Sequence, residues 1–226
     1  HQVKTEEIRF QAAEEIQARI SRPADAGHYP AVVMLHGRNG PTDPFWQIGE
    51  HYAKEGIVSL AVNYMTNRDP ENPEVMPTIE AAFNYIKSQP DVDPREIALS
   101  GYCRGGGLTY MGLARFAGFT SGVLFHGAVN EDSPKINVPI IILHGVSDPA
   151  VSIDKVFGLA KELNAQGKTF QLKTYSGCEH VFTMPGAQYQ PEAAEDAFKE
   201  AVQFLRRTYG QPAGEVGPLF KEPVPA

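Results

Sequence analysis

The chain has 226 residues, 42% of them apolar and 21% charged, which is enough to bury one large core and too apolar for a disordered polypeptide. Lys and Arg number 20 against 27 Asp and Glu, a formal charge of −7 that argues against nucleic-acid binding and leaves small uncharged or weakly charged substrates open. No apolar run approaches the roughly 20 residues of a membrane span, and two cysteines, Cys103 and Cys178, do not make a disulfide framework.

Val3 to Phe10 and Glu14 to Ser21 alternate with period two and predict an exposed-edge hairpin. Ser21 to Pro30 is a polar connection. Ala31 to His36 is a continuous apolar run, the pattern of a strand buried on both faces of a parallel sheet. After a loop from Gly37 to Pro44, Phe45, Ile48, Gly49, Tyr52 and Ala53 recur at helical spacing, and Gly56 suits the stop. Ile57 to Asn63 predicts a second buried strand, and Asn67 to Pro77 a loop. Ile79, Ala82, Phe83 and Ile86 stripe a helix begun by Pro77.

Ile97 to Tyr102 predicts a strand and 104–117 a helix. Gly122 to His126 and Ile140 to His144 predict two short strands, followed by a helix striped with Val156, Leu159, Ala160 and Leu163. Phe170 to Tyr175 is the last strand. A final helix, with Ala194, Ala197, Phe198, Ala201 and Leu205 on its apolar face, stops near Gly210. The alternation defines an α/β class with a mostly parallel sheet flanked by helices and no lid domain. One domain over 1–210 is expected, with 211–226 an irregular, loosely docked tail. The chain begins with His1 and shows no secretion signal, so the cytoplasm is the default expectation, with a removed signal left open.

The strongest chemical signal is Gly101-Tyr-Cys103-Arg-Gly105, at the end of one predicted strand and the start of a helix. Small residues flank Cys103 because a sharp strand-to-helix turn crowds Cβ atoms; the turn lifts the central side chain above the sheet, as in a nucleophile elbow. The following helix points its N-terminus at the thiol and favours the thiolate. A thiol nucleophile needs a base and an orienting acid. Asp148 follows one strand and His180 follows the last, so both fall on the carboxyl edge of the sheet with Cys103, in the order nucleophile, acid, histidine. His180 is expected to take and return the proton, and Asp148 to orient its imidazole. Backbone N–H groups of Arg104 and Arg38 are the expected oxyanion donors, with Gly37 the alternative to Arg38.

The Gly-Tyr-Cys-Arg-Gly-Gly elbow, the Asp in His-Gly-Val-Ser-Asp and the Gly-x-x-His-x-Phe segment resemble the dienelactone hydrolase family of α/β-hydrolases, over roughly residues 3 to 208. The resemblance implies a Cys103–His180–Asp148 triad, cofactor-free cleavage of a small-molecule ester or lactone, and a monomer or small homo-oligomer. It departs from the founding members at three places. His36 stands where they carry a Glu at the end of the first parallel strand. Arg68 or Asn67 falls where one substrate-binding arginine lies, and Met184 stands where the other lies, so the family's carboxylate clamp is incomplete.

Phe45, Trp46, Tyr64, Tyr102 and Phe182 flank strand ends or the catalytic loops, and with His36 and Arg68 they form the expected substrate-binding set. Trp46 lies off its helix's apolar stripe, which suggests exposure toward a cleft. The side chains of Arg38 and Arg104 are expected to pair with acidic neighbours or to receive an anion. Cys178, two residues before His180, is a passive loop residue or a redox partner for Cys103. His36, His126 and His144 all end apolar strands, without spacing that argues for a metal. Two other readings use the same fold: an acyltransferase or thioesterase on the same triad, and a non-catalytic binding scaffold.

Overall fold

The computed structural model describes residues 1–66 and 74–220. Eight strands form one sheet: β1 (Val3–Gln11), β2 (Glu15–Pro23), β3 (Tyr29–Leu35), β4 (Val58–Val62), β5 (Val92–Tyr102), β6 (Ser121–Phe125), β7 (Ile140–Gly145) and β8 (Phe170–Tyr175). Five α-helices connect them: α1 (Asp43–Lys54), α2 (Met76–Lys87), α3 (Arg104–Arg115), α4 (Ile153–Ala165) and α5 (Pro191–Thr208). The spatial order is β1-β2-β4-β3-β5-β6-β7-β8. β1 and β2 pair antiparallel, as does β2 with β4, and every later pair is parallel.

Only β1 is an edge strand of the predicted hairpin. β2 pairs with β4 as well, and Ile16, Ala18 and Ile20 are fully buried. β5 begins five residues before its apolar run, at Val92, which pairs with Tyr29.

Alternation along β3 splits the core into two layers. Ala31, Val33 and Leu35 join a cluster with apolar residues of α2, α3 and α4. Val32 and Met34 join the opposite cluster with those of α1 and α5. This is the pleat of a strand buried on both faces. Thr42 caps α1 by accepting the Phe45 N–H, and Ser152 caps α4 by accepting that of Asp154.

Chain direction around β3 sets the place of the site. β4 lies on one side of β3 and β5 on the other, so the order reverses there and a crevice opens at the carboxyl ends of β3 and β5. The loop after β3 and the turn after β5 carry His36 to Gly40 and Cys103. Segment 211–220 contains no helix or strand, yet it is more firmly docked than its composition suggests. Leu219 is buried, its N–H donates to Glu195, and the Gly217 N–H donates to Glu55 at 2.8 Å.

Candidate active site

Cys103 sits between β5 and α3 with φ 56° and ψ −116°, a left-handed backbone that a non-glycine residue adopts only when its surroundings impose it. The flanking glycines explain how. A Cβ on Gly101 would lie 2.0 Å from the Gly105 carbonyl oxygen, and one on Gly105 would lie 2.2 Å from that of Leu35. Close backbone approach on both sides of Cys103 forces the turn. The Cys103 carbonyl then accepts the N–H groups of Gly106 and Gly107, which begins α3.

Cys103 Sγ lies 2.9 Å from His180 Nε2, and His180 Nδ1 lies 2.7 Å from Asp148 Oδ2. The Asp148 side chain is fully buried, and its Oδ1 accepts the N–H groups of Ala150 and Val151, each at 2.8 Å. The carboxylate is thus held by its own turn while its other oxygen faces the imidazole. His144 Nε2 donates to the Val151 carbonyl at 2.9 Å and stands 3.5 Å from Asp148 Oδ2. Val181, next to His180, has φ 58°, so the histidine loop is also held in a strained conformation.

Two opposing effects set the thiol. Burial disfavours the Cys103 thiolate. The hydrogen bond to His180, its charge, and the backbone N–H groups of Arg104 and Arg38 outweigh burial and bring the pKa below the ordinary thiol value. His180 moves the other way. Its bond to Cys103 raises it, burial opposes this, and Asp148 adds to the rise, so the imidazole titrates at about 9. Both shifts run in the direction of thiolate and imidazolium. The two backbone N–H groups that face Sγ belong to the residues expected as oxyanion donors.

His126 joins the two loops. The Cys103 N–H is shared between the Phe125 carbonyl at 3.0 Å and His126 Nδ1 at 3.1 Å. With Nδ1 accepting, Nε2 carries the hydrogen and donates to Thr183 Oγ1 at 2.8 Å. Burial holds His126 well below the ordinary histidine value, so it stays neutral beside His180, whose ring centre is 5.5 Å away. The sequence marks His126 only as a strand end; its bond to the elbow depends on β5 and β6 being neighbours.

Among the described residues, two recesses open on Cys103. One, of about 300 Å³, lies between the loop after β3, Phe45, Tyr102 and segment 184–188. The other is bounded by Arg38, Arg104, Ala128, Ala150, Val151 and His180. Of the expected substrate-binding set, His36, Phe45 and Tyr102 line the first; Arg38 and Arg104, expected as oxyanion donors, line the second, and Arg38 lines the first as well. His36 is fully buried, donates from Nδ1 to the Gly37 carbonyl at 2.7 Å, and is pushed by burial to a pKa of about 4.

Three expected substrate contacts are displaced. Tyr64 is fully buried beneath His36, stacking at 4.0 Å and donating from its hydroxyl to the His36 carbonyl. Phe182 is fully buried against Tyr175 and His126. Trp46 is 9% exposed and packs under the Arg19 guanidinium, 4.6 Å from the ring centre. Helix α1 packs on β2 as well as β4, so its buried face is wider than its apolar stripe. Arg68 and Asn67 lie outside the described residues. Segment 184–188 was not foreseen beyond Met184; its only signal is its position just after His180. Cys178 is buried and, like Cys103, a free thiol. Among the described residues no group of three His, Cys, Asp or Glu side chains suits a metal ion, and no helix is long and apolar enough to cross a membrane.

A model of the "Dienelactone hydrolase family" matches residues 16–209. The "Putative carboxymethylenebutenolidase" of Aquifex aeolicus is 26% identical over 217 residues, covering 85% of this chain and 93% of its own. "Protein usf" of Aquifex pyrophilus is 25% identical over the same length and the same shares. The fold superposes with a TM-score of 0.82 on a structure titled "Crystal Structure of Putative Dienelactone Hydrolase" from Klebsiella pneumoniae, at 19% identity and over 92% of this chain and 100% of that one. The chain belongs to the dienelactone hydrolase family of the α/β-hydrolases. That membership makes it a hydrolase of esters or lactones.

Proposed function

We propose that the chain cleaves a carboxylic ester or lactone through an acyl-thioester on Cys103, with His180 as acid and base and Asp148 as the group that orients it. The observation that carries this reading is the unbroken relay of 2.9 Å from Cys103 Sγ to His180 and 2.7 Å from His180 to Asp148. The thiolate attacks the carbonyl carbon, and the carbonyl electrons move onto oxygen, where the N–H groups of Arg38 and Arg104 receive them. When the tetrahedral species collapses, the bond to the leaving oxygen breaks and His180 Nε2 gives that oxygen its proton. Neutral His180 then removes a proton from water as the water attacks the thioester. The second collapse releases the acid and restores thiolate and imidazolium.

The missing basic partner at Met184 argues against a requirement for a substrate carboxylate in the recess beside it. Activity is expected as a bell in pH, falling on the acid side as the thiolate is protonated and on the alkaline side near pH 9 as His180 loses its proton. The test is hydrolysis of aryl esters and simple lactones by wild type and Cys103→Ala, with iodoacetamide inactivation measured across pH. Loss of activity in the variant, and alkylation that persists well below the ordinary thiol range, support the reading. Equal activity in both proteins, or alkylation that follows a thiol near pH 8.5, contradicts it.

A further inference from the structure

We infer that His144 is a positioning residue of the relay: it fixes the turn that carries Asp148 and so keeps the Asp148 carboxylate aimed at His180. This rests on the roles given above to Cys103, His180 and Asp148.

His144 lies near the end of β7, and its side chain is fully buried. The turn that follows is held in two halves. The first half is tied to its neighbours: the Val146 N–H donates to the Tyr175 carbonyl and the Ser147 N–H to that of Cys178, each at 3.0 Å. In the second half Val151 is gripped from both sides. Its N–H donates to Asp148 Oδ1 at 2.8 Å, and its carbonyl accepts from His144 Nε2 at 2.9 Å. With Oδ1 engaged by the N–H groups of Ala150 and Val151, Oδ2 is turned toward His180 Nδ1. His144 thus sets the rotation of the carboxylate through the Val151 peptide. Its own nitrogen is 3.5 Å from Oδ2, beyond a strong hydrogen bond.

The state of the ring suits that task. A nitrogen that donates to a carbonyl carries the hydrogen, so Nδ1 is a bare lone pair. That lone pair is buried and has no hydrogen-bond partner among the described residues. An unpaired buried acceptor is costly, and an apolar side chain would avoid the cost, so packing alone does not account for a histidine here. The donor on Nε2 does. The titratable groups that act on the ring are Asp148 from its own turn, His180 from the loop after β8 and His126 from the end of β6. Burial lowers the His144 pKa against the opposing pull of Val151 and Asp148. A neutral ring holds the turn without setting a second imidazolium beside Oδ2 in competition with His180.

The test follows ester hydrolysis across pH in the whole protein carrying His144→Leu, His144→Gln, Asp148→Asn, or His144→Leu together with Asp148→Asn. The glutamine amide nitrogen reaches the place of Nε2. His144→Leu is expected to lower kcat by about tenfold with KM within about twofold. It should also move the alkaline limb down from near pH 9 toward 6.5, as Asp148 loses its hold on the imidazolium. His144→Gln should restore the limb. In the Asp148→Asn background the leucine change should cost less than about twofold, because its effect passes through that carboxylate. An equal loss in both backgrounds, or an unmoved limb in the leucine variant, makes His144 a packing residue and overturns the inference. NMR spectra of the wild type with isotope-labelled histidine test it without substitution: His144 is expected with its hydrogen on Nε2, neutral while His180 titrates. A hydrogen on Nδ1, or an imidazolium at His144, would overturn it. Each of these failures leaves the cysteine mechanism standing while Cys103→Ala is inactive; a Cys103→Ala protein as active as wild type overturns that mechanism and this role with it.

Discussion

His126 shows how much of the site depends on a residue outside the relay itself. It accepts from the strained Cys103 backbone and donates to Thr183, three residues past His180. It is a positioning residue, tying the elbow to the histidine loop without carrying charge. His126→Leu leaves the buried Thr183 hydroxyl without its donor, a loss of about 1–3 kcal/mol in stability. It should also lower kcat by about tenfold or more with little change in KM, because the 2.9 Å approach of Sγ to Nε2 loosens. The decisive readout is the pH dependence of Cys103 alkylation, which should move upward in the leucine variant and return toward wild type in His126→Asn, whose amide oxygen replaces the Nδ1 acceptor. An unchanged profile in an active leucine variant would leave His126 only structural. The relay residues were legible in the sequence because strand ends, chain order and residue type coincide at Cys103, Asp148 and His180. Tyr64 and Phe182 are buried for a reason the sequence does not carry: a place beside a strand end does not tell whether a ring faces the crevice or the layer beneath it. Trp46 is covered because β2 adds a second neighbour to α1.

At the scale of elements, the elbow is a packing device before it is a chemical one. β5, α3 and the end of β3 approach so closely that Gly101 and Gly105 have no room for a Cβ. Gly101→Ala places that carbon against backbone, which cannot swing aside, and should cost about 4 kcal/mol or more. Gly158→Ala is the matched contrast. It lies inside α4 with nothing near its Cβ position, so the same change should stabilise by about 0.5–1 kcal/mol. Urea midpoints for the two proteins check both signs. Elements with continuous apolar runs, such as β3, β4 and β7, could be read directly from the sequence. The first half of β5 could not, because Asp93, Pro94, Arg95 and Glu96 look like a loop, whereas in the structure they run between the Val92–Tyr29 and Ile97–Ala31 pairs. Similarly, the tail reads as loose by composition, while Leu219 buries itself against the layer formed by α1 and α5.

For the molecule as a whole, histidine burial links stability to pH. His36 and His51 are pushed down to about 4 by burial, and His126 and His144 are lowered by the same cause. In the unfolded chain they take up protons near pH 6.5, so between about 6.5 and 4 the unfolded state binds more protons than the native one. Stability should therefore fall as pH drops through that window, by about 1.4 kcal/mol per pH unit for each fully buried histidine. His180 acts in the other direction: its pKa is raised to about 9, so its contribution is complete below about 6.5 and is lost as pH rises through 9. A thermal-unfolding series from pH 4.5 to 9.5 should show both declines, and a flat acid limb would contradict the burial of these rings as neutral groups. The α/β class and the parallel sheet followed from the sequence at this scale, because strand and helix patterns alternate at short intervals. The two recesses beside Cys103 did not, since one depends on the loop after β3 facing segment 184–188 and the other on the turns after β6 and β7.

The most direct test of the account is to trap the covalent intermediate. The protein is mixed with an aryl hexanoate, quenched in acid within the first turnover, and measured by intact mass and peptide mapping. The account predicts one hexanoyl group per chain, on the peptide containing Cys103, released by hydroxylamine and absent from Cys103→Ala. Turnover with no adduct on Cys103, or an adduct on another residue in a variant that still hydrolyses the ester, would contradict it.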